Sequence, residues 1–148
     1  MEIKEVKRNK KQYLSLLLLA DEQENMVDRY LEHGTMYVLD DKGIKAECVV
    51  TDEGNGILEI KNIATGPDSQ RRGYGKALID FISSKYQGKY SVLQAGTGDS
   101  PLTVPFYEKC GFSRSHVVEN FFTDNYDHPI YEAGIQLKDM VYLRKKLV

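Results

Sequence analysis

The chain has 148 residues, with 20 Lys and Arg against 22 Asp and Glu and a formal net charge of −2. That length suits one domain spanning residues 1–148 with a core of its own, and the charge balance argues against a nucleic-acid partner, which demands many basic contacts to phosphate. Two cysteines, Cys48 and Cys110, give neither a disulfide framework nor a metal-ligand cluster, and as small apolar fillers they fit a reducing cytoplasm.

Met1 to Lys7 lacks the apolar core of a signal peptide. Ile3 and Val6 mark a short first strand. Tyr13 to Leu19 is apolar without Gly or Pro and reads as a buried helix; its run from Leu16 to Ala20 is far too short to span a bilayer, so no membrane partner is expected. A second helix opens at Asp21 or Glu22 and carries Met26, Val27, Tyr30 and Leu31 at helical spacing, with Gly34 placed as its C-cap. The period then changes. Thr35 to Leu39, Ile44 to Thr51 and Ile57 to Thr65 are β-prone runs separated by Asp-Asp-Lys-Gly and Gly-Asn-Gly turns, which predicts an antiparallel meander. Gly73 to Lys85 reads as a helix with Leu78, Ile79, Phe81 and Ile82 on its apolar face. Tyr90 to Ala95 is a strand expected to run parallel to the one before that helix, because a helical crossover joins them. Leu102 to Lys109 is a short helix, Phe112 to Val118 and Asp139 to Leu147 are strands, and Glu119 to Gln136 is a long aromatic and acidic connection. The whole is a mixed α/β (α+β) domain built on one central sheet.

Between the third meander strand and its helix stands Gln70-Arg71-Arg72-Gly73-Tyr74-Gly75-Lys76. A helix start exposes unpaired N–H groups, glycines let an anion approach the backbone, and Arg and Lys add full charges. Strand, basic glycine turn and helix thus make an anion site of diphosphate size. The spacing is neither that of a Walker loop nor that of the dinucleotide-binding Gly-x-Gly-x-x-Gly turn. The plainer reading is a solvated basic bend.

The stretch Gln70 to Gly75 resembles the Gln/Arg-x-x-Gly-x-Gly/Ala loop of the GNAT acyltransferase superfamily. Phe106-Tyr107-Glu108-Lys109-Cys110-Gly111-Phe112 is similar to that superfamily's Tyr-Glu-Lys-x-Gly-Phe signature, at a matching interval. The resemblance covers residues 59–112 in motif and the whole chain in topology. It implies a mostly antiparallel sheet with one splayed parallel pair and about four flanking helices. It also implies acetyl-CoA as co-substrate and acetyl transfer to an amine of a small molecule or peptide in a ternary complex. His33, His116 and His128 do not form a metal-spaced set, so no metal is expected. By that resemblance Gln70, Arg71, Arg72, Gly73, Tyr74, Gly75 and Lys76 hold the CoA diphosphate, and Ile63, Ala64 and Thr65 pair with the pantetheine arm.

In the same way Tyr107 is the candidate acid for the departing thiolate, with core packing beside Phe106 as the alternative. Glu59 is the candidate base, with an outward-facing strand carboxylate beside Lys61 as the alternative. A backbone N–H of Ile63 or Ala64 would hold the oxyanion. Phe121, Phe122, Tyr126 and Tyr131, with Glu119, Asp124, Asp127 and Glu132, suggest a wall that favours a cationic amine, with aromatics in the core and acids in water as the commoner alternative. The competing class is a CoA-binding sensor without turnover, which has no need of Tyr107 or Glu59. A third reading keeps the enzyme and changes the acyl group. A homodimer is the default for a small enzyme.

Overall fold

The structure, a computed structural model, describes residues 1–147; Val148 lies outside the described residues. Its strands are β1 (Glu2–Val6), β2 (Thr35–Asp40), β3 (Ile44–Asp52), β4 (Ile57–Thr65), β5 (Val92–Gly98), β6 (Ser113–Val118), β7 (Ile130–Glu132), β8 (Ile135–Leu137) and β9 (Met140–Lys146). Its helices are α1 (Leu14–Ala20), α2 (Glu24–Val27), α3 (Tyr74–Tyr86), α4 (Val104–Lys109) and α5 (Phe121–Asn125). Seven strands form one sheet in the order β1-β2-β3-β4-β5-β9-β6, and β7 and β8 form a separate hairpin. Every neighbouring pair is antiparallel except β4–β5. The meander and the parallel pair are as expected, with β4 bounded by the residues its period marks.

Alternation on the strands sends side chains to two cores. On one face Tyr37, Leu39, Cys48, Val50, Leu58 and Ile60 pack under Leu78, Ile79 and Ile82 of α3 and Tyr107 of α4. On the other, Met36, Val38 and Val49 pack under Leu17, Val27, Tyr30 and Leu31. Both cysteines are buried and free, as fillers should be.

One irregularity shapes everything that follows. Val49 pairs with Asn62 and Val50 with Ile60, so Lys61 is an extra residue, a β-bulge in β4. The same point ends the parallel pairing: β4 and β5 are in register from Ile57–Val92 to Ile60–Ala95 and no further. Beyond it β4 runs on to Thr65 held only by β3, and β5 runs on to Gly98 held only by β9. The facing edges of the two strands separate and leave a cleft.

Several elements differ from the sequence reading. The first helix begins as a 3-10 turn, Lys10–Tyr13, and is not buried: Leu17 is fully enclosed but Leu19 is 52% exposed. The second helix stops at Val27. The chain continues to Leu31 in tight turns, Arg29 bonding Met26 and Tyr30 bonding Val27, so the apolar residues stay inside without a long helix. Lys10 explains how this segment is closed: its ammonium donates to the carbonyls of Leu31 (2.8 Å), Glu32 (3.2 Å) and Gly34 (2.7 Å). Gly34 is not a left-handed cap. A Cβ there would lie 2.8 Å from the Tyr30 carbonyl oxygen and 2.8 Å from Val49, so close packing excludes any side chain. The strand expected from Tyr90 starts at Val92, after a turn at Gly88, and the Glu119–Gln136 connection folds into α5 and the β7–β8 hairpin.

Candidate active site

The cleft opened at the bulge is a cavity of about 370 Å³. Ile60 to Thr65 of β4 and Gly96 to Gly98 of β5 form its two edges, and residues from both faces of the sheet meet in it. From the α3–α4 side come Gln70, Thr103 and Tyr107; from the other come Asp21, Glu22, Phe122 and Tyr126; Tyr131 and Glu132 of β7 line it as well.

The basic turn meets the cavity through Gln70. Gly73 caps α3 in the left-handed conformation (φ 83°), and Arg71 is also left-handed at φ 65°. The first α3 bond given by the turn is Ala77 N–H to the Gly73 carbonyl, 3.0 Å. The N–H groups of Tyr74, Gly75 and Lys76 therefore have no helical acceptor, and no side chain caps them. A Cβ on Gly75 would lie 3.0 Å from Phe106, so the second motif packs directly against the first.

The side chains of the turn divide. Gln70 lines the cavity and donates to the Thr65 carbonyl at 3.3 Å, and Arg71 and Arg72 are exposed. Tyr74 is buried and donates to Asp41 at 2.6 Å, so it anchors the helix to the β2–β3 turn and offers an anion only its backbone. Lys76 is engaged by Asp80 at 2.7 Å along the helix.

Tyr107 reaches the cavity wall from α4, held edge-on between Phe106 and Phe112 with ring centroids 5.3 and 5.4 Å away. Burial pushes its phenol well up from the ordinary value, so the hydroxyl keeps its proton at any working pH.

Glu59 is neither on the cavity wall nor outward-facing. It is 4% exposed, accepts from Gln94 at 2.6 Å and pairs with Lys61 at 2.8 Å. Arg144 extends the chain by donating to Gln94 at 2.7 Å. Lys61 itself lines the cavity and stands between it and Glu59.

Of the aromatic and acidic wall, Phe122, Tyr126, Tyr131 and Glu132 line the cavity. Phe121 packs in a small cluster around Phe122. Glu119, Asp124 and Asp127 do not line the cavity. Asp127 pairs with His128, whose other ring nitrogen meets Glu22 at 2.9 Å. Burial raises the carboxyl pKa of Glu132 above its ordinary value.

Sequence reasoning missed Asp21 and Asn62. Asp21 lines the cavity and accepts from Tyr30 (3.0 Å) and Tyr126 (2.7 Å). Burial raises its carboxyl pKa even against those two donors. No spacing rule links residue 21 to residue 126; only the docking of the late connection onto the α1–α2 loop does.

A basic turn at a helix start, a cleft between diverging parallel strands and a buried tyrosine beside it are the parts of an acyl-CoA transferase. The family model "Acetyltransferase (GNAT) domain" matches residues 32–114. The chain belongs to the GNAT acetyltransferase family and is of its N-acetyltransferase class. It is 37% identical over 131 residues to the uncharacterized N-acetyltransferase YvbK of Bacillus subtilis strain 168, covering 86% of this chain and 84% of that one. Among solved structures it is similar to a GNAT family acetyltransferase from Elizabethkingia anophelis with acetyl-CoA bound (34% identity, 98% and 97% of the two chains, TM-score 0.91). It is also similar to a Bacillus subtilis acetyltransferase in complex with CoA (33% identity, 99% of each chain, TM-score 0.89).

Proposed function

We propose that the chain transfers an acetyl group from acetyl-CoA directly to a primary amine of a small molecule or peptide, both substrates being bound in the one cavity. The observation that carries this reading is that cavity itself, which joins Gln70 of the basic turn, the free edge of β4 and Tyr107. The N–H groups at the start of α3, with Arg71 and Arg72, take the diphosphate. The unpaired edge of Ile63, Ala64 and Thr65 pairs with the pantetheine arm, and a free N–H there faces the carbonyl oxygen. That relatives hold acetyl-CoA and CoA supports the assignment.

The chemistry needs no covalent enzyme intermediate. The neutral amine attacks the thioester carbonyl, a C–N bond forms and the C–S bond breaks. The thiolate takes the proton of Tyr107, and the phenolate recovers one from the new amide nitrogen. The elevated pKa keeps Tyr107 protonated and excludes it as a resting base; it also makes the phenol a weaker acid, so its proton passes to sulfur only in concert with C–S cleavage and the return of a proton from the amide nitrogen. Glu59, set behind Lys61, acts as base only through a water relay.

A thermal-shift titration with acetyl-CoA, CoA, succinyl-CoA and ATP tests the reading. A ligand at one hundred times its dissociation constant stabilises a fold by about 2.7 kcal/mol, and acetyl-CoA and CoA are expected to do so while ATP does not. Tyr107→Phe is expected to keep that shift and to lose turnover by roughly 10²-fold or more. Retained turnover removes Tyr107 as the acid, and no shift with either CoA compound overturns the cofactor site.

A further inference from the structure

The acceptor side of the cavity has an imbalance of hydrogen-bonding groups. Asn62, 3% exposed, lines the cavity just past the bulge. Its amide nitrogen donates to the Leu17 carbonyl (2.9 Å) and the Tyr30 hydroxyl (3.0 Å). Because the Leu17 carbonyl only accepts, the amide orientation is fixed, and Asn62 Oδ1 is left without a donor. Beside it Asp21 holds one phenol on each carboxylate oxygen, from Tyr30 and Tyr126, and each oxygen keeps lone-pair capacity. Every proton that Asn62, Tyr30 and Tyr126 can offer at this wall is already given. What remains is acceptors: an orphaned buried carbonyl and a carboxylate.

A group that completes this wall brings several donors, no acceptors and positive charge. An ammonium has three donors and no acceptor. A hydroxyl brings one donor and lone pairs that would meet the same acceptors, and a phosphate or carboxylate brings none and meets the charge of Asp21. We propose that Asp21 and Asn62 form the seat on which the acceptor amine docks as its primary ammonium, giving one proton to water to become the neutral nucleophile, and that this pair selects amines over alcohols and anions. Tyr30 and Tyr126 are positioning residues: their phenols fix the Asp21 carboxylate. Tyr126 comes from the late connection, so the seat is complete only when that segment is docked. The inference rests on the proposed acetyl transfer to an amine and names the residues that recognise it.

The test measures binding, not turnover. Butylamine and, as its neutral counterpart, butanol are titrated by NMR into the full chain saturated with CoA, for the wild type, Asp21→Asn and Asn62→Leu. Asp21→Asn keeps shape and removes charge; Asn62→Leu removes the orphaned acceptor. The wild type is expected to bind butylamine and not butanol. Asp21→Asn is expected to weaken butylamine about tenfold or more, the scale of a hydrogen bond to a charged group, and Asn62→Leu to weaken it as well. Equal affinity in wild type and Asp21→Asn, equal binding of butanol, or no binding of butylamine by the wild type overturns the seat. CoA affinity, measured in parallel, separates the two readings. If all three proteins bind CoA and the amine does not follow Asp21, the seat alone fails; if CoA does not bind, the proposed transfer fails first.

Discussion

Glu47 sits on β3 with none of its surface exposed, and neither carboxylate oxygen has a hydrogen-bond donor. Desolvation raises its pKa well above the ordinary value, because a bare charge in an apolar interior is far costlier than the neutral acid. Below the unfolded value near ~4.3 both states hold the proton and Glu47 adds no penalty. Above it the unfolded chain ionises while the folded one keeps its proton, so stability falls as pH rises toward the folded pKa. The slope for one such group is about 1.4 kcal/mol per pH unit. Glu47→Gln removes that contribution. In urea unfolding at pH 5 and pH 8, the variant is expected to gain on the wild type at the higher pH; an identical pH dependence in both proteins would sink the assignment. No periodicity marks this residue as buried, since a charged residue inside a strand is usually read as facing solvent.

At the scale of elements, the late connection and the α1–α2 loop hold one another across a long stretch of chain. Tyr126 donates to Asp21, the Asp127 N–H to Gln23 (3.2 Å), Arg29 to Asn125 (3.3 Å), and His128 bridges Asp127 and Glu22. Asp127 first and Glu22 second raise the His128 pKa. A raised pKa means that the folded state favours the imidazolium. The clasp is therefore fully supported below the ordinary value near ~6.5 and weakens as pH rises through the higher folded value. Hydrogen exchange in residues 121–128, corrected for the intrinsic pH effect, is expected to quicken across that window. His128→Gln is expected to abolish the change; a wild-type profile in the variant would assign the clasp elsewhere. The sequence marks this connection as long, aromatic and acidic, but α5 and the β7–β8 hairpin are too short to declare themselves by period.

At the scale of the molecule, the cavity passes between β4 and β5 and collects residues from both faces of the sheet. The basic turn lies on one side and Asp21 on the other, the arrangement that the proposed ternary complex requires. Cys48 and Cys110 are buried and do not line the cavity, which leaves no thiol there to carry the acyl group. Initial-rate measurements with acetyl-CoA and an amine acceptor are expected to give intersecting double-reciprocal lines. Parallel lines would require an acyl-enzyme and would overturn the ternary complex.

Local chemistry was enough to mark the two motifs, the meander, the parallel crossover and α3. Alternation, helical spacing and glycine turns act over a few residues, and the chain prints them directly. Tyr107 and the turn from Gln70 to Lys76 were legible for the same reason, because each sits in a contiguous motif. Whether Glu59 faced the cavity was not legible: the bulge at Lys61 shifts the phase of β4 by one residue, and a bulge is visible only when two strands are paired. Asp21 and Asn62 were hidden for a further reason. Their role comes from which donors are already spent around them, and that count exists only once residues 17, 30, 62 and 126 are brought to one wall by the tertiary fold.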